Sequence, residues 1–257
     1  MTSLAAIILA AGKGTRMNSD LPKVVHPVAD APMVRWVVEA CRAVGCERIV
    51  VVVGHRQEDV RTVFVDDDPD EAPIEFAVQD RQLGTGHATL CATPALEGFN
   101  GDVFVLCGDG PLIRADTLET MLRRHRETKA AATMATAKLD DPSGYGRIVR
   151  DHAGAFTNII EEKNATPAQL EIREVNPSYY CFKAPALLEA LKDVQRNETT
   201  GEYYVTDVPA LLMQRGERVE VIDAVPPEDV LSINTPDNLA AVDRVLRRRL
   251  GMAEAKA

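Results

Sequence analysis

No apolar run in the sequence approaches the roughly 18 residues that a membrane-spanning helix requires, so an α-helical membrane protein is excluded. The opening Met1-Thr2-Ser3 has none of the basic residues that begin a secretory signal. The apolar stretch Leu4 to Ala11 runs into glycines rather than a cleavage site. Cysteines number five, each in an apolar segment and with no Cys-x-x-Cys among them. An odd count without that spacing argues for buried thiols, against both a disulfide framework and a zinc site. The five histidines are scattered and form no His-Glu-x-x-His pattern. Positive charge is short as well: 29 Lys and Arg face 39 Asp and Glu, a net charge of −10. That is the wrong sign for a nucleic-acid surface. The absences leave the expectation of a cytoplasmic protein with no nucleic-acid and no membrane partner.

What is present is an ordinary globular composition, 46% hydrophobic and 26% charged. At 257 residues the chain can bury a substantial core as one large domain. Leu4 to Ala11 is a continuous apolar run, the mark of a strand covered on both faces. Val34, Trp36 to Val38, Cys41 and Val44 then recur at helical spacing, with Pro32 near the start and Gly45 at the end. Ile49–Val53, Ile74–Val78 and Val103–Cys107 read as further buried strands, with a polar helix around Gln57–Phe64 and another beginning near His87. This alternation predicts an α/β fold, a Rossmann-like, mostly parallel sheet with helices on both faces. After about residue 140 the rhythm breaks. Tyr145–Val149, Ala155–Glu161 and Ser178–Phe182 read as shorter strands, a small mixed β extension that closes over the site. Asp207 is expected to cap a helix carrying Pro209 and stopping at Gly216, and Thr235-Pro236 to open a last helix through Leu250. The organisation expected is a single domain over 1–257, with one half at 1–140, a second at 141–235 and a C-terminal helix and tail at 236–257.

The first strand leads into Gly12-Lys13-Gly14-Thr15-Arg16-Met17. Glycines at a strand end let main-chain N–H groups approach an anion, although two glycines alone equally describe a tight turn. The loop is neither a P-loop, which needs Gly-Lys-Ser/Thr at fixed spacing, nor a Rossmann fingerprint, since Met17 stands where the third glycine would be. Arg16 and Lys23 move the reading towards phosphate, the first as a planar fork and the second as a point charge. Asp109, in Gly108-Asp109-Gly110-Pro111, follows a buried strand at the carboxyl edge of the sheet, where open α/β sheets bind ligands. One carboxylate plus phosphate oxygens and waters is a normal shell for Mg²⁺. Without the glycine loop upstream, Asp109 would read as a plain turn residue.

Leu9-Ala10-Ala11-Gly12-Lys13-Gly14-Thr15-Arg16-Met17 followed by Leu21-Pro22-Lys23 resembles the signature of the sugar-phosphate nucleotidyltransferases. The resemblance is greatest to uridyltransferase domains that use N-acetylglucosamine 1-phosphate. It continues through Gln79 to Ala88, Gly108 to Leu112, Asp141 to Ile148, Glu161 to Asn164 and Gly201 to Asp207, in the family's order. It implies UTP and a sugar 1-phosphate as substrates, UDP-N-acetylglucosamine and pyrophosphate as products, and Mg²⁺ as cofactor. It makes 1–140 a nucleotide-binding half, in which Ala11, Gly12, Gly14, Thr15, Gln79, Gly84 and Thr85 would bind the nucleotide, and 141–235 a sugar-binding half. Arg16 and Lys23 would act on the phosphates, Asp109 and Asn234 would hold the metal, and Gly146, Glu161 and Asn176 would contact the sugar. The plainer alternatives are a solvated loop residue for Gln79, a capping role for Asn234 and a surface ion pair with Lys163 for Glu161. His87 is expected to cap or pack, not to act as a base.

The nucleophile in such a reaction is a phosphate oxygen already ionised at neutral pH. The lack of a Ser-His-Asp or Cys-His set therefore fits. Asn176-Pro177-Ser178 departs from the family's Asn-Thr-Gly or Asn-Ser-Gly, and Cys107 and Gly110 are milder departures. The resemblance would continue into hexapeptide repeats of a left-handed β-helix; none follows before Ala257, so neither acetyl transfer nor a trimer built on such repeats is expected. No other signal for oligomeric state is present. Two rival classes are a non-catalytic regulatory relative, disfavoured because Arg16, Lys23 and Asp109 are all retained, and the same chemistry on another sugar phosphate or pyrimidine triphosphate.

Overall fold

The computed structural model describes residues 2–14, 17, 19–231, 233 and 235–253. In chain order the elements are β1 (Leu4–Leu9), a short hairpin of β2 (Pro27–Val28) and β3 (Ala31–Pro32), α1 (Met33–Ala43), β4 (Arg48–Val53), α2 (Gln57–Arg61), β5 (Ile74–Val78), α3 (Thr85–Cys91), β6 (Asp102–Cys107), α4 (Ala115–Thr128) and β7 (Ala132–Lys138). There follow β8 (Gly146–Arg150), β9 (Phe156–Ile160), α5 (Pro167–Leu170), β10 (Glu174–Lys183), α6 (Ala184–Leu191), α7 (Val208–Gln214), β11 (Val219–Asp223) and α8 (Pro236–Leu250). The main sheet has the order β11-β7-β10-β6-β1-β4-β5, with β8 and β9 branching from β10. The fold is therefore α/β, with a mostly parallel sheet as expected.

Alternation along β1 shows why its sequence is apolar throughout. Ala6 and Ile8 point into the core under α1 and α4, while Ala5 and Ile7 point into the core under α3, α6 and α7. Both faces are dry, so no position on the strand tolerates a polar side chain. A third cluster, with Met17, Val28, Met33, Leu112, Val242 and Leu246, docks α8 against the β2–β3 hairpin. Thr235 caps α8 in a capping box: its hydroxyl accepts from Asn238 N–H, and the Asn238 side chain accepts from Thr235 N–H, both at 3.2 Å.

Three sequence expectations change. First, α4 and β7 occupy a stretch to which the pattern assigned no element, and α6 and β11 were likewise missed. Second, Ser178–Phe182 is not a short strand of a small lobe but the end of the ten-residue β10. That strand lies inside the main sheet, antiparallel to both β6 and β7. Its other end, at Val175 and Asn176, pairs with β8. Proline can sit here because the register shifts between Val175 and Tyr179, and the bulge relieves the ladder of a missing N–H. Third, Asp207 makes no side-chain cap, because the 3-10 turn Val205–Asp207 runs directly into α7 and leaves its backbone already helical.

The strand order positions the site. From β1 the chain steps to β4 and β5 on one side, then crosses to β6 on the other. The loops leaving β1 and β6 diverge at this reversal and open a crevice at their carboxyl ends. Because β10 is antiparallel to β6, its early residues emerge at that same edge.

Candidate active site

Two cavities meet in the crevice. One of about 300 Å³ is lined by Ala11, Gly12, Gly14, Lys23, Gln79, Gly84, Thr85 and Asp109, joined by Cys107, Gln82, Glu202 and Tyr204. The other, about 230 Å³, is lined by Lys23, Cys107 and Asp109 again, then Gly146, Glu161, Asn176, Pro177, Ser178 and Asp229. The structure thus gathers the nucleotide set in one cavity and the sugar set in the other, and Lys23 and Asp109 stand at their junction. Thr15, Arg16 and Asn234 lie outside the described residues. A larger cavity of about 770 Å³, around Asp102, His125 and Lys183, sits at the other end of the sheet and shares no residue with these two.

At the junction Lys23 Nζ lies 2.6 Å from Asp109 Oδ2, and the two side chains are 14% and 34% exposed. Gly14 makes this approach possible: at φ +64, a Cβ there would meet the Lys23 Cβ at 2.5 Å. Around Gly12, by contrast, a Cβ would meet nothing within 4 Å. Its glycine is not demanded by packing against the described residues, and Gly12 lines the first cavity. Among the described residues no group of three or more His, Cys, Asp or Glu could hold a metal by itself. A cation bound at Asp109 would draw most of its shell from substrate and water, which suits Mg²⁺.

In the first cavity Gln79 is buried at 3% exposure, not solvated. Its Nε2 donates to Gly84 O at 3.1 Å and lies 3.0 Å from His87 Nδ1, which accepts when the imidazole proton is on Nε2. His87 therefore orients the amide. Gly84, at φ +97, would place a Cβ 2.5 Å from Tyr203 O, and Tyr203 N–H donates to Leu83 O at 2.8 Å. The Glu202–Tyr204 segment thus forms a wall of this first cavity. The Gly201–Asp207 run carried the family resemblance but no role, and its contact with residues 83–86 was invisible in sequence.

In the second cavity the Glu161 carboxylate accepts from Thr206 Oγ1 at 3.0 Å. Burial raises its pKa above the ordinary value of 4.5, against the opposing effect of that hydrogen bond. Asn176 is buried and its amide is partly spent: Oδ1 accepts from Ser178 N–H at 3.1 Å, and Nδ2 donates to the Tyr180 hydroxyl. Ser178 has φ +65, the left-handed region where glycine is at ease. The Cys107 thiol is pushed up to about 12, chiefly by burial and then by Asp109, so it stays protonated and is no nucleophile.

The model of the nucleotidyl transferase family matches residues 5–225, most of the chain and every strand described above. The chain belongs to the nucleotidyl transferase family. Among similar proteins are the bifunctional protein GlmU of Geobacter metallireducens, 46% identical over 250 residues, and that of Geobacter sulfurreducens, 48% identical over 250 residues. Each alignment covers 97% of this chain and 52% of the relative. GlmU of Halalkalibacterium halodurans is 43% identical over 253 residues, 98% of this chain and 54% of that protein. The chain spans about half the length of the curated relatives it matches. The nucleotidyl transferase match ends before α8, so that helix and Asn234 stand outside it. No helix among the described residues is long and apolar enough to cross a membrane.

Proposed function

We propose that the chain is a Mg²⁺-dependent uridylyltransferase that joins UTP to N-acetylglucosamine 1-phosphate and releases pyrophosphate. The observation that carries this reading is the pair of cavities sharing Lys23, Cys107 and Asp109. One cavity suits a base and the other a sugar, and a fixed cation and a carboxylate mark where the phosphates would meet. In this reading residues 1–257 act as one domain, and the sugar half is continuous with the nucleotide half through β10.

The sugar phosphate attacks the α-phosphorus as pyrophosphate leaves. The protein's task is to hold two anions in line and to neutralise charge. Asp109, with Asn234, would hold the Mg²⁺, which supplies charge neutralisation on the polyphosphate. Lys23, with Arg16, supplies fixed positive charge beside it. Gln79 Nε2 faces Gly84 O and His87 Nδ1, so its Oε1 would be the atom that accepts from the uracil N3–H. Cytosine carries a lone pair at that position and would oppose the same oxygen. Screening pyrophosphate release from several nucleoside triphosphates against several sugar phosphates tests the reading as a whole. Release only with a purine triphosphate, or with none, would overturn it.

Competition among UTP, CTP, ATP and GTP should favour UTP in the wild type, with Gln79→Ala narrowing its lead over CTP. A hydrogen bond between neutral groups contributes about 0.5–1.5 kcal/mol, so roughly a 2- to 13-fold narrowing is expected. An unchanged UTP:CTP ratio would remove Gln79 from base reading.

Glu161 accepts from sugar hydroxyls most strongly when ionised, because charge strengthens the hydrogen bond and frees both oxygens as acceptors. Its pKa is raised, so KM for the sugar phosphate should climb as pH falls through a value above 4.5, while KM for UTP holds steady. Glu161→Gln should lose that limb. It should also be no less stable at neutral pH, because a group with a raised folded pKa loses its stabilising contribution as pH rises through that pKa. A pH-independent sugar KM in the wild type would refute the assignment.

The departure at 176–178 should relax sugar choice. Pro177 presents no N–H, and Asn176 already serves Ser178 and Tyr180. The expected loss of discrimination against glucose and glucosamine 1-phosphates is of one neutral hydrogen bond, about 2- to 13-fold. Values of kcat/KM for the three sugars measure it, and strict exclusion of the two non-acetylated ones would count against it.

A further inference from the structure

The loop that closes the sugar cavity is held by a buried carboxylate belonging to none of the groups assigned above. Asp229 lies in the 3-10 turn Pro227–Val230, and its side chain is 1% exposed. Arg114 grips it with two bonds, Nε to Oδ2 at 2.5 Å and Nη2 to Oδ1 at 3.0 Å. Arg249, on the last turn of α8, donates to the same Oδ1 through Nη2, while its Nη1 donates to Leu112 O at 2.8 Å. Glu228 adds an outer layer, accepting from Arg114 at 3.2 Å and from Arg248 at 3.0 Å.

These bonds tie three pieces of chain together. Arg114 and Leu112 continue the loop that carries Asp109. Asp229 begins the segment whose residues 229–231 line the sugar cavity together with Asn176 and Gly146. Arg249 brings in α8. Tyr145 and Tyr179 hydroxyls donate to the carbonyls of Val230 and Asp229 from the cavity side, so the backbone of the wall is held from both faces.

We propose that Asp229 is a positioning residue for the sugar phosphate. By fastening the 227–231 turn to Arg114 and Arg249, it sets the width of the cavity between that turn and the Asp109 loop, and it makes α8 part of the site's framework. The inference deepens the uridylyltransferase reading and rests on it. A buried carboxylate between two guanidiniums specifies one geometry, because any other arrangement leaves a charge without its partner. Beyond the Lys23, Cys107 and Asp109 of the junction, nucleotide contacts lie in the other cavity, and none of its lining residues belongs to this clamp.

The test uses the full chain with Asp229→Asn, which keeps shape and loses charge, and Arg249→Ala, which breaks the clamp from the solvent side. Loss of a hydrogen bond to a charged group weakens binding roughly 10- to 100-fold, so KM for the sugar phosphate should rise by about that factor in both variants. KM for UTP, and UTP binding measured by calorimetry without sugar, should stay within about 2-fold, and Arg249→Lys should recover part of the sugar KM. Thermal melts of each variant separate this from global damage. Lower stability with an unchanged sugar KM overturns the proposal, as does equal loss of UTP and sugar binding. If the wild type itself releases no pyrophosphate from UTP and a sugar phosphate, the failure lies in the functional reading and not in the clamp.

Discussion

Asp109→Asn is expected to lose nearly all pyrophosphate-releasing turnover while remaining folded. Asp109 stands just past the carboxyl end of β6, at the junction of the two cavities, and the described residues around it include no cluster of candidate ligands. Asparagine keeps the size and one acceptor oxygen but removes the negative charge that a divalent cation requires from so sparse a protein shell. The variant also loses the 2.6 Å ion pair with Lys23. Asp109 is about one third exposed in that pair, so the loss should amount to no more than about 1 kcal/mol of stability. A melting curve close to wild type with turnover gone is the expected combination. A folded variant that turns over at the wild-type rate with saturating Mg²⁺ would show that Asp109 is only a turn residue.

Lys23→Ala is expected to slow turnover on the order of 10²-fold, because a fixed cation acts where charge develops in the transition state. At 1.36 kcal/mol per decade this is about 2.7 kcal/mol, more than a surface charge supplies. Lys23 is only 14% exposed on its side chain and lines both cavities. Gly14 is shaped to admit it, since any Cβ there would collide with the lysine stem. Lys23→Arg should recover little, because a planar guanidinium does not reproduce a compact ammonium in a space so closely fitted. Lys13, exposed towards the loop tip, should matter far less when replaced by alanine. Steady-state rates for the three variants provide the measurement. Equal rates for Lys23→Ala and wild type would make the Lys23–Asp109 pair a structural contact alone.

The class of fold could be read from the chain alone, and so could the two strand-end turns that line the cavities. Strands β1, β4 and β6 are dry on both faces, so each had to be an uninterrupted apolar run, and such runs are legible one element at a time. The glycine loop after β1 and the Gly-Asp-Gly-Pro turn after β6 were legible for the same reason, each being a local backbone requirement at a strand end. Strand β7 escaped because it is Ala-Thr-Met-Ala-Thr-Ala-Lys, with no Val, Ile or aromatic residue; it is a strand because β10 and β11 pair with it on either side. Strand β10 was seen at half its length because Pro177 reads locally as a break, and only the bulge across its partners absorbs it. Tertiary structure alone decided which distant groups meet: Lys23 with Asp109, Gln79 with His87 and Gly84, Glu161 with Thr206, Asp229 with Arg114 and Arg249. Periodicity reports which face of an element is buried. What lies across from it follows from strand order and register, which are properties of the assembled sheet and leave no mark on any one segment.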